Sequence, residues 1–442
     1  MTVPSTIAAL REAYRDNRLD PSTVVGELAR RAGQTEDYAV WIRRLDSGEL
    51  GPHMHHLADV RMEDAPLWGV PFAIKDNIDL AGVPTTAGCP GFAYTPERSA
   101  TVVERLVEAG AIPLGKTNMD QFATGLVGTR SPYGAVRNAV CTDYISGGSS
   151  SGSAVAVKLG LALFALGTDT AGSGRIPAAF NGLVGFKPTL GWWSTRGVVP
   201  ACRTLDCVSV FTRSVADARA VARVAGGFDP EDAFSRRFHR QDFDSGRVRY
   251  GYFDPQTLPD MDEGFRRCYE RFLATLPGCP EPVGAAPFLA AGEMLYDGPW
   301  VAERYAAVGR FLEAHPDAVH PVTRTVIAGG RDPSAVECFR AQYRLASLKR
   351  EAEETLRDVD VLVMPTAPRI CSRLEVERDP FGTNTKLGTF TNFVNLLDLC
   401  AIAIPAGSTA KGLPFGITLA SPAGFDFALL NAAASLCGEV AD

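Results

Sequence analysis

Two turns rich in glycine and serine hold the side chains of this sequence best suited to chemistry. Residues 147–153 read GGSSSGS and include Ser149; residues 168–174 read TDTAGSG and include Ser173, 24 positions later. Glycine admits positive φ and lets the backbone approach a ligand closely. Successive N–H groups in such a turn can converge on an anion. A hydroxyl among them has the makings of a nucleophile beside an oxyanion site. A solvated loop without chemistry is the competing reading. A phosphate-binding loop would need Gly-Lys-Ser/Thr after its glycines, whereas Ser151-Gly152-Ser153-Ala154 follows here.

The segments around these turns must position them. Residues 154–158 read as a short helix and 161–166 as a buried strand, so the unit can bring both hydroxyls to one end of a sheet. Residues 67–74 read as another strand, with Lys75 at its end beside Asp76 and Asn77. A charge closing an apolar strand is either a special residue or the strand's exit to solvent. An amphipathic helix follows at 100–109, stopped by Gly110, then a strand at 111–115, a βαβ-like alternation. Asp169 and Arg175 flank Ser173 closely enough to form a buried pair that supports the turn.

GVPFAIKDN at 69–77, GGSSSGSA from 147 and GTDTAGSGRIPA from 167 stand in this order over about 120 residues. Together they resemble the amidase signature family. The resemblance implies an α/β fold with a large mixed central sheet, helices on both faces and an N-terminal helical segment. It implies a Ser–Ser–Lys triad: Ser173 as nucleophile, Ser149 as proton relay after a cis Gly148–Ser149 peptide, and Lys75 as terminal base. Lys75 must then be neutral, although a free lysine titrates near ~10.4; burial would lower that value. The oxyanion would be held by the backbone N–H groups of Thr170, Ala171, Gly172 and Ser173. Residues 116–125 resemble a pocket-lining segment of the family, which makes Gly125 a substrate contact. Gln121 stands where many relatives carry glutamate. Its neutrality either suits an anionic substrate or serves an unrelated hydrogen bond.

Residues 294–305 resemble one branch of that family, the allophanate hydrolases, as do 390–398 and 402–407. In that branch a tyrosine and an arginine eight positions apart hold the substrate carboxylate, and Tyr296 and Arg304 match them. A guanidinium fork pairs bidentately with a carboxylate and a phenol adds a hydrogen bond. The implied reaction is hydrolysis of allophanate (urea-1-carboxylate) to ammonia and N-carboxycarbamate, in urea or s-triazine nitrogen catabolism, with no metal and no cofactor. Alternatives are a related amidase on 1-carboxybiuret or another small amide, the amide-cleaving component of a glutamine-hydrolysing amidotransferase, and an idle binding module. The resemblance spans nearly all 442 residues, which leaves no room within them for the further C-terminal domain many allophanate hydrolases carry.

Bulk composition narrows the partners. Net charge is −7 and no basic run stands out, which argues against nucleic acid. No run of about 18 uncharged apolar residues predicts a membrane span. Ten cysteines are scattered without a CxxC pair, the pattern of a reduced, cytoplasmic protein. Residues 1–60 read as helices apart from the core. Ser5 would cap a helix to about Asn17, and Asp20-Pro21 would open another that Gly33 stops. Such helices often form part of a dimer contact in the family, so a homodimer is expected; a simple packed lid is the competing reading. His53, His55 and His56 read as a solvated turn rather than a metal site. Residues 61–442 form the expected catalytic domain, with 222–350 a helical part covering the pocket. Within it, Arg236, Arg237, Arg240, Arg247 and Arg249 mark a polar surface loop at 223–256. Later helices are predicted at 263–276, 317–329 and 335–358, and strands at 361–364 and 413–417.

Overall fold

Every residue of the strands Pro71–Lys75, Ile112–Thr117 and Phe164–Thr168 is buried. Successive strand residues face opposite sides of a sheet, so these strands are covered on both faces, as their apolar runs require. They belong to one mixed sheet in the computed structural model, which describes residues 2–243 and 248–440. Its strands in chain order are β1 (Trp41–Arg44), β2 (Pro71–Lys75), β3 (Ile112–Thr117), β4 (Phe164–Thr168), β5 (Val184–Lys187), β6 (Val208–Thr212), β7 (Tyr250–Phe253), β8 (Glu281–Val283), β9 (Val361–Pro365), β10 (Leu399–Ser408) and β11 (Pro414–Pro422). The spatial order is β1-β3-β2-β4-β6-β5-β10-β11-β9-β7-β8. β2 runs parallel to β3 and β4, while β4 and β6 are antiparallel. The α/β mixed-sheet expectation therefore holds.

The parallel trio β3-β2-β4 positions the site. Open sheets gather ligands beyond the carboxyl ends of parallel strands, and Lys75, Thr117 and Thr168 are the last residues of these three. The helix Ser151–Lys158 packs on β2, β3, β4 and β6. It begins three residues earlier than the sequence indicated. β4 is also shifted, to Phe164–Thr168.

The N-terminal 60 residues correct an expectation. Helices Ile7–Arg15, Pro21–Gly33 and Ser47–Asp59 form, but β1 lies among them and pairs with β3. Leu10, Val24 and Leu28 join the apolar cluster that contains the sheet, so this segment is not apart from the core. Thr6, not Ser5, caps the first helix through Ala9 N, whereas Asp20 caps the second through Thr23 N as expected. His53, His55 and His56 lie on a helix rather than a turn, because Asp46 and Glu49 form a capping box that starts it. Pro52 is accommodated inside that helix.

Residues 222–350 are not helical throughout, since β7 and β8 extend the sheet at its far edge. The arginine-rich stretch is pinned to the body. Arg237 stacks over Phe228 at 3.8 Å and Arg249 pairs with Asp360 at 2.8 Å; Arg247 lies outside the described residues. All ten cysteines are free. Among the described residues no helix is long and apolar enough to cross a membrane.

Candidate active site

Lys75 closes β2 wholly buried, and its Nζ lies 2.7 Å from Ser149 Oγ and 2.7 Å from Thr168 Oγ1. Burial pushes the amine down to about 7; the carboxylates of Asp120, Asp206 and Asp169 oppose that, and the Arg304 charge adds to it. Ser149 follows a cis peptide bond from Gly148. Its carbonyl accepts from Asp120 N at 3.1 Å. The next residue, Ser150, bonds both the carbonyl and the amide of Thr168, at 3.1 and 3.2 Å. The first serine turn is thus zipped to the end of β4, and Lys75 lies between two hydroxyls.

A second buried lysine sits one strand away. Lys116 on β3 pairs with Asp76 at 3.2 Å and donates to Thr85 Oγ1 at 2.9 Å. Burial lowers its pKa, against the pull of Asp76. Asp76 is thereby neutralised by a partner other than Lys75. A lone lysine in an apolar run was the available signal for this pair, which sequence reasoning passed over.

The second turn is held by the pair its sequence indicated. Asp169 and Arg175 are both fully buried and bond bidentately at 2.8 and 2.9 Å. Burial would raise the Asp169 pKa, but the Arg175 charge beside it prevails and holds it below the usual carboxylate value. Two further residues brace the turn. Asn395 donates to Asp169 O at 2.8 Å, and Thr391 Oγ1 donates to Ala171 O at 2.7 Å. Both lie in the segment 390–398 whose resemblance to the family branch was noted from sequence, but nothing there tied them to this turn. Gly172 has φ +118, and a Cβ there would lie 2.3 Å from Thr391 Oγ1, so no larger residue fits.

One oxyanion expectation changes here. The N–H of Gly172 donates to Asp169 Oδ1 at 2.8 Å. Those of Thr170, Ala171 and Ser173 have no acceptor among the described residues. The geometry leaves three open donors rather than four, because a carboxylate inside the turn takes the other. Ser173 is 3 % exposed, and its hydroxyl makes no hydrogen bond among the described residues, Ser149 included.

Tyr296 and Arg304, far apart from the serines in sequence, meet each other. The Arg304 guanidinium lies 5.7 Å from the Tyr296 ring centroid. Arg304 is buried and donates to Thr124 Oγ1 at 3.1 Å and Ala123 O at 3.4 Å. Gly125, next in that segment, has φ +153, and a Cβ would approach Asp120 Oδ2 to 2.8 Å. Gln121 is engaged elsewhere. Its Oε1 accepts from His320 N at 2.7 Å and its Nε2 donates to Ala318 O at 3.3 Å. A carboxylate could supply the acceptor but not the donor, so the amide serves a hydrogen-bonding role here. A cleft of about 610 Å³ opens beside Tyr296 and Arg130. The lysine and the two serines do not line it.

The chain matches the Amidase family over residues 55–430. It is 45% identical over 379 residues to the urea amidolyase of Saccharomyces cerevisiae, covering 84% of this chain and 21% of that protein. Thus it spans about a fifth of the urea amidolyases it resembles. It is also 36% identical over 413 residues to one of the subunits of the glutamyl-tRNA(Gln) amidotransferase of Halobacterium salinarum, covering 84% of this chain and 96% of that one. The solved Kluyveromyces lactis allophanate hydrolase aligns with a TM-score of 0.92 and 39% identity, over 98% of this chain and 72% of that chain. A lysine–serine pair at the end of parallel strands, a braced second serine turn and a family match over most of the sequence lead to one statement of kinship: this chain belongs to the amidase family.

Proposed function

We propose that this chain hydrolyses allophanate through Lys75, Ser149 and Ser173. Neutral Lys75 takes the Ser149 proton while Ser149 takes that of Ser173, whose oxygen bonds to the terminal carboxamide carbon. The oxyanion is received by the free N–H groups of Thr170, Ala171 and Ser173, each such donor contributing about 3–4 kcal/mol. The proton returns through Ser149 to the leaving nitrogen, the C–N bond breaks and ammonia departs. Water then cleaves the Ser173 ester along the same proton path, giving N-carboxycarbamate, which loses carbon dioxide.

The observation that carries the substrate choice is a buried guanidinium, Arg304, with no carboxylate partner among the described residues and a phenol beside it. A buried cation without a counter-charge is costly, and a substrate carboxylate supplies one. Allophanate is the substrate for which the solved Kluyveromyces lactis relative is named. The test is ammonia release by the purified protein from allophanate, biuret, glutamine and malonamide side by side. Allophanate is expected to give the highest kcat/KM, and Ser173→Ala to lower kcat by roughly 10⁴-fold or more. No ammonia from allophanate, or a strong preference for glutamine, defeats the assignment.

A further inference from the structure

Arg130 is a buried charge that this scheme leaves unused. It is 3 % exposed and borders both the large cleft beside Tyr296 and a smaller hollow of about 290 Å³. Its Nη1 donates to Thr124 O at 3.0 Å and its Nη2 to Pro380 O at 2.7 Å, while Nε has no acceptor among the described residues. Asp120, whose charge acts on Arg130, commits its oxygens to the N–H groups of Val127, Gly128 and Arg130 itself. Arg130 therefore has no ion-pair partner among the described residues, as is true of Arg304.

The two guanidiniums meet at one residue. Arg130 bonds the carbonyl of Thr124 and Arg304 bonds its hydroxyl. The backbone just before it is turned to allow this, with Phe122 and Ala123 at φ +51 and +52. Such left-handed geometry in larger residues persists where the surroundings enforce it, commonly at ligand sites. Burial lowers the Arg130 pKa; the Asp120 carboxylate and the Tyr296 phenol oppose this, and the Arg304 charge adds a smaller push in the same direction as burial. Asp297, Asp332 and Glu337 also line the cleft, but they are exposed, and exposed charge is screened within ~8 Å. Arg130 borders the cleft and is buried, so its charge is screened less than theirs, and Arg304 lies behind it through Thr124.

We propose that Arg130 is a specificity-determining residue that, with Arg304, makes a doubly cationic hollow selecting small amides that carry a carboxylate. This rests on the substrate reading above and deepens it. Arg304 and Tyr296 grip the carboxylate, and Arg130, itself buried, contributes attraction at longer range. A neutral amide gains nothing from the second charge.

Malonamate and malonamide provide the comparison, because they present the same carboxamide and differ in one carboxylate. The kinetics of wild type, Arg130→Gln, Arg130→Met and Arg130→Lys would be measured on both and on allophanate. The neutral variants are expected to raise KM for allophanate and malonamate roughly 10- to 100-fold, with KM for malonamide within about threefold. Arg130→Lys, which keeps the charge but not the fork, is expected to hold the malonamate-to-malonamide ratio of kcat/KM near wild type. Methionine keeps an apolar stem in the buried position, so a neutral variant remains measurable should glutamine disturb folding. Equal losses on both substrates would mean that Arg130 only ties Thr124 to Pro380, and would overturn the proposal, as would an unchanged ratio. Wild-type protein that cleaves neither allophanate nor malonamate would overturn the function assigned above and this role with it.

Discussion

At the residue scale the central quantity is the charge on Lys75. Its folded value of about 7 lies well below that of a free lysine, with burial as the main cause. Only the neutral amine can accept a proton, so kcat/KM is expected to rise tenfold per pH unit below 7 and to level off above it. A pH–rate profile checks this, and an acid limb near 10 would contradict it. The same shift acts on stability. Below pH 7 both folded and unfolded states hold the proton, and the fold bears the full cost of a buried ammonium. Between 7 and ~10.4 the unfolded chain binds more protons, so stability rises with pH. The whole effect is on the order of 4–5 kcal/mol. Lys75→Met is therefore expected to abolish turnover yet stabilise the fold at pH 6.5, by an amount that shrinks toward pH 10. Urea unfolding at several pH values measures it. The lysine was legible from its motif, but its neutrality depends on burial that no local pattern encodes.

At the scale of elements, the turn at 168–175 works because four side chains from two parts of the chain hold it. Asp169 and Arg175 come from the turn, Thr391 and Asn395 from a segment more than 200 residues later. Asp169→Asn leaves the Arg175 charge buried and unpaired. A loss of about 3–5 kcal/mol is expected, together with a fall in kcat as the turn amides lose their register. Chemical denaturation and kinetics test both. The segment at 316–328 is docked differently, by the Gln121 amide. Gln121→Glu would turn a carboxylate oxygen toward Ala318 O, at a cost of about 1–3 kcal/mol. Faster amide exchange at 316–328 is the expected signature. A change confined to KM for the anionic substrate would favour the charge explanation instead. The Asp169–Arg175 pair was readable because both residues flank one serine, whereas Thr391 and Asn395 were not, because nothing local ties them to it.

Across the whole molecule, the N-terminal segment is a structural part of the catalytic sheet. β1 covers the outer edge of β3, the strand that carries Lys116 and Thr117 beside Lys75. Leu10, Val24 and Leu28 are 0, 0 and 2 % exposed. Each such side chain contributes about 1.5–3 kcal/mol on burial, against a total stability of roughly 5–15 kcal/mol for a folded domain. A chain lacking residues 1–46 is therefore expected to lose cooperative thermal unfolding and to aggregate through the bared β3 edge. A sharp transition with retained activity would show that the segment is dispensable. The sequence showed helices there and missed β1, whose four residues Trp-Ile-Arg-Arg carry no clear alternation.

Sequence alone determined the serine turns, the lysine at a strand end and the Asp169–Arg175 pair, which are written in contiguous motifs and local periodicity. The mixed α/β architecture came through the family resemblance those motifs carry. Tertiary structure decided which of the turn amides stay free, what Gln121 bonds to, and which buried cations go without a counter-charge. Each of these depends on groups brought together from distant parts of the chain, and hydrogen-bond partnership and desolvation exist only once packing has chosen the neighbours.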